Sequence, residues 1–165
     1  MKILIVIPAR GGSKRIPRKN VRIMNGKPLI LYSIENAKRL AREYNVDICV
    51  STDDEELAGI AESSKVDIIW RDERLSADNI TLDPVVFDAL MKMEREKGDA
   101  YDVVITMQAT SPTLRASTLL NAVKKFVDSD LDTMISCVNR PHLSWTERDG
   151  RIVKRSEEHT SELQS

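Results

Sequence analysis

The amino-acid sequence predicts an α/β fold in which a mostly parallel sheet is covered by helices on both faces. Short apolar runs typical of buried strands alternate with longer segments whose apolar residues recur at helical spacing. The loops between these segments are short, and this alternation is typical of parallel strands joined by helical crossovers. Polar loops directly follow the predicted strands, as they do at the carboxyl edge of such a sheet.

The first strand is predicted at Ile3–Ile7, an unbroken run of β-branched residues and leucine that is typical of a strand buried on both faces. Pro8 ends this strand because proline has no N–H to donate to a neighbouring strand. Further along, Asn25-Gly26 predicts a tight turn, and Pro28 suits the first turn of a helix that extends to about residue 44.

The rest of the chain continues the alternation and ends in a hairpin. Four further strands are predicted at 46–51, 66–70, 102–107 and 132–138. Helices are predicted after the polar cluster Ser51–Asp54, from Thr81 to about Lys97, and over 116–129. A β-hairpin is predicted around Asp149-Gly150, between 143–147 and 151–154.

The composition is that of a soluble globular domain. The chain has 165 residues, of which 41% are hydrophobic and 31% charged, enough for one domain with a core. Its first apolar run is too short for a signal peptide, and no run is long enough to span a bilayer. Cys49 and Cys137 lie in apolar runs, so we expect two buried free thiols in a reducing cytoplasm rather than a disulfide.

Positive charge is concentrated near the start of the chain. Eight Lys and Arg residues precede the first acidic residue, Glu35, whereas the remainder carries 17 basic and 26 acidic residues, a net charge of −9. A compact basic segment on an acidic body suits a small anionic ligand. Aromatic residues make up only 4% of the chain, which argues against a nucleic-acid-binding surface.

This basic segment follows the first strand and is suited to bind a polyphosphate. Gly11 and Gly12 carry no Cβ, so their backbone N–H groups can approach a ligand closely. The cationic side chains around them are Arg10, Lys14, Arg15, Arg18, Lys19 and Arg22. A solvated basic turn would have the same composition, but the position after a buried strand favours a ligand site. The pattern matches neither the dinucleotide fingerprint nor the P-loop.

Three other polar side chains have competing interpretations. Asp53 and Asp78 can each cap the helix that follows or bind a ligand, and the sequence leaves both alternatives open. His142 is isolated near Pro141, and an isolated histidine is more readily explained by structure than by catalysis.

Four stretches of the sequence carry a family resemblance, and they occur in the same order as in the family. They are Pro8–Asn20, Val50–Asp53, Arg71 with Leu75–Asp78, and Gln108–Pro112 with Arg115. Together they resemble the acylneuraminate cytidylyltransferases, also called CMP-sialic acid synthetases, and the first stretch is the most specific. The related KDO cytidylyltransferases have a differently composed first loop. Thr113 looks like an insertion relative to the sialic-acid pattern, which leaves the sugar open.

The resemblance implies a Rossmann-like fold of the nucleotide-diphospho-sugar transferase type. It implies a reaction in which CTP and a nine-carbon 2-keto sugar acid give a CMP-sugar and pyrophosphate, with Mg²⁺ and a homodimeric full-length enzyme. Arg10 and Lys19 would be catalytic, because they would stabilise charge on the departing pyrophosphate. The nucleotide-binding residues would be Ala9, Arg10, Gly11, Gly12, Ser13, Lys14, Lys19, Asn20 and Arg71. Gln108 would contact the sugar, and the metal ligands are unknown because the family's carboxylates lie farther towards the C-terminus.

Residues 155–165 differ from the rest of the chain. They lack periodicity, contain almost no apolar residue, and look like the translation of a common sequencing adapter. We expect them to be disordered and foreign, so that 1–154 would be a nucleotidyltransferase catalytic domain incomplete at its C-terminus and inactive alone. Two alternatives stay open, namely a related nucleotidyltransferase for another sugar and a CTP-binding fragment without catalysis.

Overall fold

The computed structural model describes residues 1–13, 15–77, 80–137, 145–148 and 151–154. The chain divides into two compact units, residues 1–130 and residues 131–165. Within the described part of the chain, no helix has the length and apolar character needed to cross a membrane.

Strands and helices alternate along the first unit as the sequence predicts. In chain order the strands are β1 (Ile3–Pro8), β2 (Ile23–Met24), β3 (Lys27–Pro28), β4 (Val46–Thr52), β5 (Asp67–Trp70), β6 (Val103–Thr106), β7 (Trp145–Arg148) and β8 (Arg151–Lys154). The α-helices are α1 (Leu29–Leu40), α2 (Glu55–Ser63), α3 (Leu82–Lys97) and α4 (Ala116–Val127). Single turns of 3-10 helix lie at Lys19–Val21 and Glu73–Leu75.

The main sheet is parallel and has the strand order β5-β4-β1-β6, which confirms the predicted fold class. From β1 the chain moves outward through β4 to β5 and then returns across the sheet to β6. Because crossovers between parallel strands are right-handed, this reversal places the connecting helix on the opposite face. Accordingly, α1, α2 and α4 cover one face of the sheet, and α3 covers the other.

Strand β1 is the centre of the hydrophobic core. Ile3, Ile5 and Ile7 point to the face covered by α1, α2 and α4, whereas Leu4 and Val6 point to the face covered by α3. All five side chains are completely buried. This confirms the strand predicted from the unbroken apolar run, because a central strand covered on both faces has no position for a polar side chain.

The short hairpin formed by β2 and β3 directs the chain into α1. Its turn residues, Asn25 and Gly26, have φ angles of 47° and 85°. Two successive positive φ values are what a two-residue type I′ hairpin requires, which is why Asn-Gly is favoured there. The predicted turn is confirmed, and Pro28 immediately precedes the first residue of α1.

The second unit differs from the sequence prediction in one segment. Residues 131–137 are exposed and form no strand, so the fifth strand predicted at 132–138 is wrong over its described part. An extended segment becomes a stable strand only when its backbone groups pair with a neighbour, and apolar patterning does not reveal whether a neighbour exists. Strands β7 and β8 pair antiparallel, which confirms the predicted hairpin. Val138, Asp149-Gly150 and residues 155–165 lie outside the described residues.

The two cysteines are free, but they lie in different environments. Cys49 is buried in β4, whereas Cys137 is exposed, so the prediction of two buried thiols is wrong for Cys137. The reason is that no sheet forms over the described residues 131–137, which leaves the Cys137 side chain exposed.

In the folded chain we expect Cys49 to resist thiol reagents and Cys137 to react. Burial raises the pKa of the Cys49 thiol to about 12, so the reactive thiolate is scarce near neutral pH. A chromogenic disulfide reagent should therefore label one thiol of the native chain and the second only after denaturant is added. A Cys137→Ser variant should remain unlabelled until it unfolds, and rapid labelling of that native variant would contradict the buried environment of Cys49.

Candidate nucleotide-binding site

The loops that follow β1, β4 and β5 meet at the carboxyl edge of the sheet. Backbone hydrogen bonds continue beyond the strands, from Ala9 N to Ser51 O at 2.9 Å and from Arg71 N to Thr52 O at 2.8 Å. These bonds join three of the four polar loops that the sequence predicts at this edge, and the fourth follows β6. The loop after β6 is held mainly by α1, through Ser33 Oγ donating to the backbone oxygen of Gln108 at 3.3 Å.

Residues 9–22, here called the basic loop, are closed at the base by a buried amide. Asn20 Nδ2 donates to Arg10 O at 3.1 Å, which joins the two ends of the loop. The Asn20 side chain is 8% exposed and Ala9 is 1% exposed, so both lie inside the structure beneath the loop. Lys14 lies outside the described residues.

Arg10 and Arg71 lie close to one another beside the basic loop. Arg10 Nη1 donates to Ser76 O at 3.3 Å, which ties the loop to the segment after β5. Arg71 is half-buried, and its Nη2 donates to Ser51 O at 2.8 Å. Burial lowers the pKa of Arg71; the Asp53 carboxylate opposes this shift, and the positive charge of Arg10 adds to it. Two neighbouring guanidinium groups of this kind favour an anionic ligand.

Gly11 makes a close contact with the end of β4. Its N–H donates to Asp53 Oδ1 at 2.9 Å, and a Cβ atom at position 11 would lie 2.4 Å from Asp54 Oδ2. A side chain at position 11 would therefore require Asp54 to shift, whereas Gly12 has open space around it. Gly11 offers its N–H to a carboxylate here, the same chemistry by which a backbone N–H binds a phosphate oxygen.

The capping interpretation of Asp53 is wrong, because its neighbour caps α2. Asp54 Oδ1 accepts a hydrogen bond from Leu57 N at 3.1 Å, the usual geometry of an N-cap side chain. Asp53 instead joins β4 to the basic loop through Gly11. Asp78 and His142 lie outside the described residues, so their interpretations are not tested.

Other predicted site residues differ in what surrounds them. Lys19 is half-buried in the 3-10 turn, and its ammonium group has no ion-pair or hydrogen-bond partner among the described residues. Ser13 is half-buried, and its N–H donates to Gly11 O at 3.1 Å. The Gln108 side chain is exposed at the end of β6.

A cleft of about 480 Å³ lies away from the basic loop, between α1 and the start of α4. Its lining residues include Lys27, Tyr32, Arg39 and Arg115. Lys27 is paired with Glu35 and stacks over the Tyr32 ring, with Nζ 4.2 Å from the ring centroid. None of the predicted nucleotide-binding residues lines this cleft.

Two features of the site were not predicted from the sequence. Arg18 pairs with Asp54 and Glu56 at the start of α2, 36 and 38 residues further along the chain. Ser76 Oγ is buried without a hydrogen-bond partner among the described residues. The Arg18 contacts join segments that are distant in sequence, so no local pattern could have revealed them.

The described residues contain no cluster of three His, Cys, Asp or Glu side chains that could hold a metal ion. Mg²⁺ bound with a nucleotide commonly uses only one or two carboxylates together with phosphate oxygens and water, so such a cluster is not required for it.

This chain is similar to curated enzymes that are named for pseudaminic acid and legionaminic acid. It is 42% identical over 131 residues to a pseudaminic acid cytidylyltransferase from Campylobacter jejuni, which covers 78% of this chain and 55% of the relative. It is 39% identical over 125 residues to a CMP-N,N'-diacetyllegionaminic acid synthase from Legionella pneumophila, with 75% and 53% covered. The chain thus spans about half the length of these relatives.

Two solved structures of nucleotide-transferring enzymes superpose on this chain. A CMP:2-keto-3-deoxy-manno-octonic acid synthetase complexed with CTP superposes with a TM-score of 0.64 at 26% identity, covering 78% of this chain and 48% of that one. A 4-diphosphocytidyl-2C-methyl-D-erythritol synthase shares the fold, with a TM-score of 0.70 at 14% identity and 93% and 67% covered. The family model described as cytidylyltransferase matches residues 4–158. This chain belongs to the cytidylyltransferase family.

Proposed function

We propose that this chain is the nucleotide-binding part of an enzyme that transfers CMP from CTP to a nine-carbon 2-keto sugar acid. The observation that carries the proposal is the position of Arg10, which lies with Arg71 where the β1, β4 and β5 loops meet. The named activities of the relatives support the substrate class, because both form CMP derivatives of acidic sugars.

In the proposed reaction, the anomeric hydroxyl of the sugar attacks the α-phosphorus of CTP. A new O–P bond forms, the bond from the α-phosphorus to the pyrophosphate oxygen breaks, and the hydroxyl proton is released. The protein must neutralise the triphosphate and stabilise the charge that develops on pyrophosphate. We assign this role to Arg10, Ser13, Lys14 and Lys19, of which Arg10 and Lys19 are catalytic.

The other predicted site residues have proposed roles in the same complex. Gly11 and Gly12 would offer backbone N–H groups to the phosphates, and Gly11 would then exchange its bond to Asp53 for one to the ligand. Arg71 would contact the cytidine from the half-buried position beside Ser51. Ala9 and Asn20, which are both buried, would also contact the cytidine. Gln108 would reach the sugar.

The proposal also covers properties of the whole enzyme. Mg²⁺ would neutralise phosphate charge. Its protein ligands would not be a cluster of three His, Cys, Asp or Glu side chains within the described residues, which contain none. We further propose a homodimeric full-length enzyme in the cytoplasm.

The reaction is tested by pyrophosphate release. A full-length protein containing this chain is incubated with CTP, Mg²⁺ and each of a panel of 2-keto sugar acids, including sialic, pseudaminic, legionaminic and KDO acids. We expect release with at least one nine-carbon acid and less with KDO. CTP binding without release for any acid would favour a non-catalytic nucleotide-binding role, and release only with KDO would overturn the assigned substrate class.

Removal of either catalytic cation should weaken CTP binding. We expect Arg10→Ala and Lys19→Ala each to raise the Kd for CTP by about tenfold or more, as the loss of a charge-assisted hydrogen bond of roughly 1.5–3 kcal/mol requires. Titration calorimetry measures the effect. Arg95→Ala is the matched control, because it removes the same charge from an exposed position on α3. Wild-type affinity in both loop variants would exclude the assigned site.

The site should prefer cytosine to a purine. The basic loop and Arg71 would contact the base together, so a larger purine should lose contacts that CTP makes. We expect CTP to bind at least about tenfold more tightly than ATP or GTP, a difference of about 1.4 kcal/mol. The three nucleotides are compared by calorimetry at one Mg²⁺ concentration, and equal affinities would argue against a cytidylyltransferase site.

A further inference from the structure

Arg18 makes an unusual set of contacts for a cation in a phosphate-binding loop. Its two Nη groups bond both carboxylate oxygens of Asp54, with Nη2 to Oδ1 at 3.2 Å, and Nη2 also bonds Glu56. A planar guanidinium that bridges carboxylates in this way is held in direction as well as in position. The contacts join the middle of the basic loop to the first turn of α2.

The backbone of Arg18 also departs from the ordinary. Its φ and ψ are 56° and 32°, in the left-handed region that few residues other than glycine adopt. Such a conformation persists only where surrounding contacts impose it. Arg18 immediately precedes the 3-10 turn Lys19–Val21 within the basic loop. Its backbone angles therefore set the direction of that turn and of Lys19.

The carboxylate that holds Arg18 is itself fixed by local bonds. Asp54 Oδ1 accepts from Leu57 N at 3.1 Å, and Asp54 N donates to Thr52 Oγ1 at 3.1 Å. Burial of Asp54 opposes its ionisation, but the bonds from Arg18 and Leu57 outweigh this and lower its pKa. Asp54 is therefore a charged, rigid anchor at the end of β4.

We propose that Arg18 is a positioning residue, which holds the basic loop against the start of α2 so that Lys19 is presented to the nucleotide phosphates. This inference rests on the proposed function, because it assigns Arg18 a role in the same site. The charge of Arg18 is already balanced by two carboxylates, whereas Lys19 has no partner among the described residues. The two adjacent cations thus have different tasks: Arg18 binds protein, and Lys19 binds ligand.

The first arm of the test needs no nucleotide. The backbone N–H groups of Val21 and Arg22 donate to Arg18 O and Lys19 O, both at 3.2 Å, so their hydrogen exchange reports the order of the turn. We expect Arg18→Ala to accelerate both exchanges at least about fivefold while thermal unfolding changes little, since a surface pair contributes little to global stability. Unchanged exchange in this variant would overturn the proposal.

The second arm is a double-mutant cycle on CTP binding. Asp54→Ser is the partner substitution, because serine keeps the helix cap but cannot hold a guanidinium. We expect Arg18→Ala and Asp54→Ser each to weaken CTP binding by about fivefold to tenfold, and the double variant to be no weaker than either alone, as for two halves of one contact. Multiplied effects in the double variant would show that Arg18 contacts the nucleotide directly and would overturn the proposal.

Two controls complete the design. Arg18→Lys keeps one charge but cannot bridge both carboxylates, so it should lie between wild type and Arg18→Ala in both arms; it also serves if the alanine variant does not fold. Arg95→Ala, which removes a charge from α3, should leave both readouts unchanged. If wild-type chain binds no CTP, the proposed function fails, while the exchange arm still decides whether Arg18 orders the loop.

Discussion

Strand β1 is hydrogen-bonded on both edges and buried on both faces, and the sheet and helices of residues 1–130 are arranged around it. Its partners are β4 on one side and β6 on the other. The chain that leaves β1 therefore emerges at the middle of the carboxyl edge, where the strand order reverses. Ligands bind at such switch points in open α/β sheets because the loops on either side diverge and leave a crevice. The basic loop occupies that place.

The sequence predicted most strands and helices because their buried residues recur at the regular spacing of each kind of element. The unbroken run in β1 and the positive-φ turn at Asn25-Gly26 each have a local cause that can be recognised without the fold. The segment 131–137 also contains apolar residues typical of a strand, yet it is exposed, because a strand also needs a partner that such residues do not supply. Strand order was equally out of reach, since it depends on pairing between distant segments.

The candidate site likewise combines features that are local in sequence with contacts between distant segments. The cations near Gly11 could be recognised because they are neighbours in sequence. The bond from Gly11 to Asp53 and that from Arg10 to Ser76 span 42 and 66 residues, so only the folded chain brings them together. Only the backbone geometry shows that Asp54 rather than Asp53 caps α2, because either aspartate side chain could serve as an N-cap.

The close approach of Gly11 to Asp54 has a consequence for how this chain can vary. A methyl group at position 11 would overlap the Asp54 carboxylate, so it can be accommodated only if position 54 becomes smaller or shifts. Either change also disturbs the partner of Arg18. Positions 11, 18 and 54 therefore behave as one unit under mutation, and a library that randomises them separately would recover mostly the parental residues.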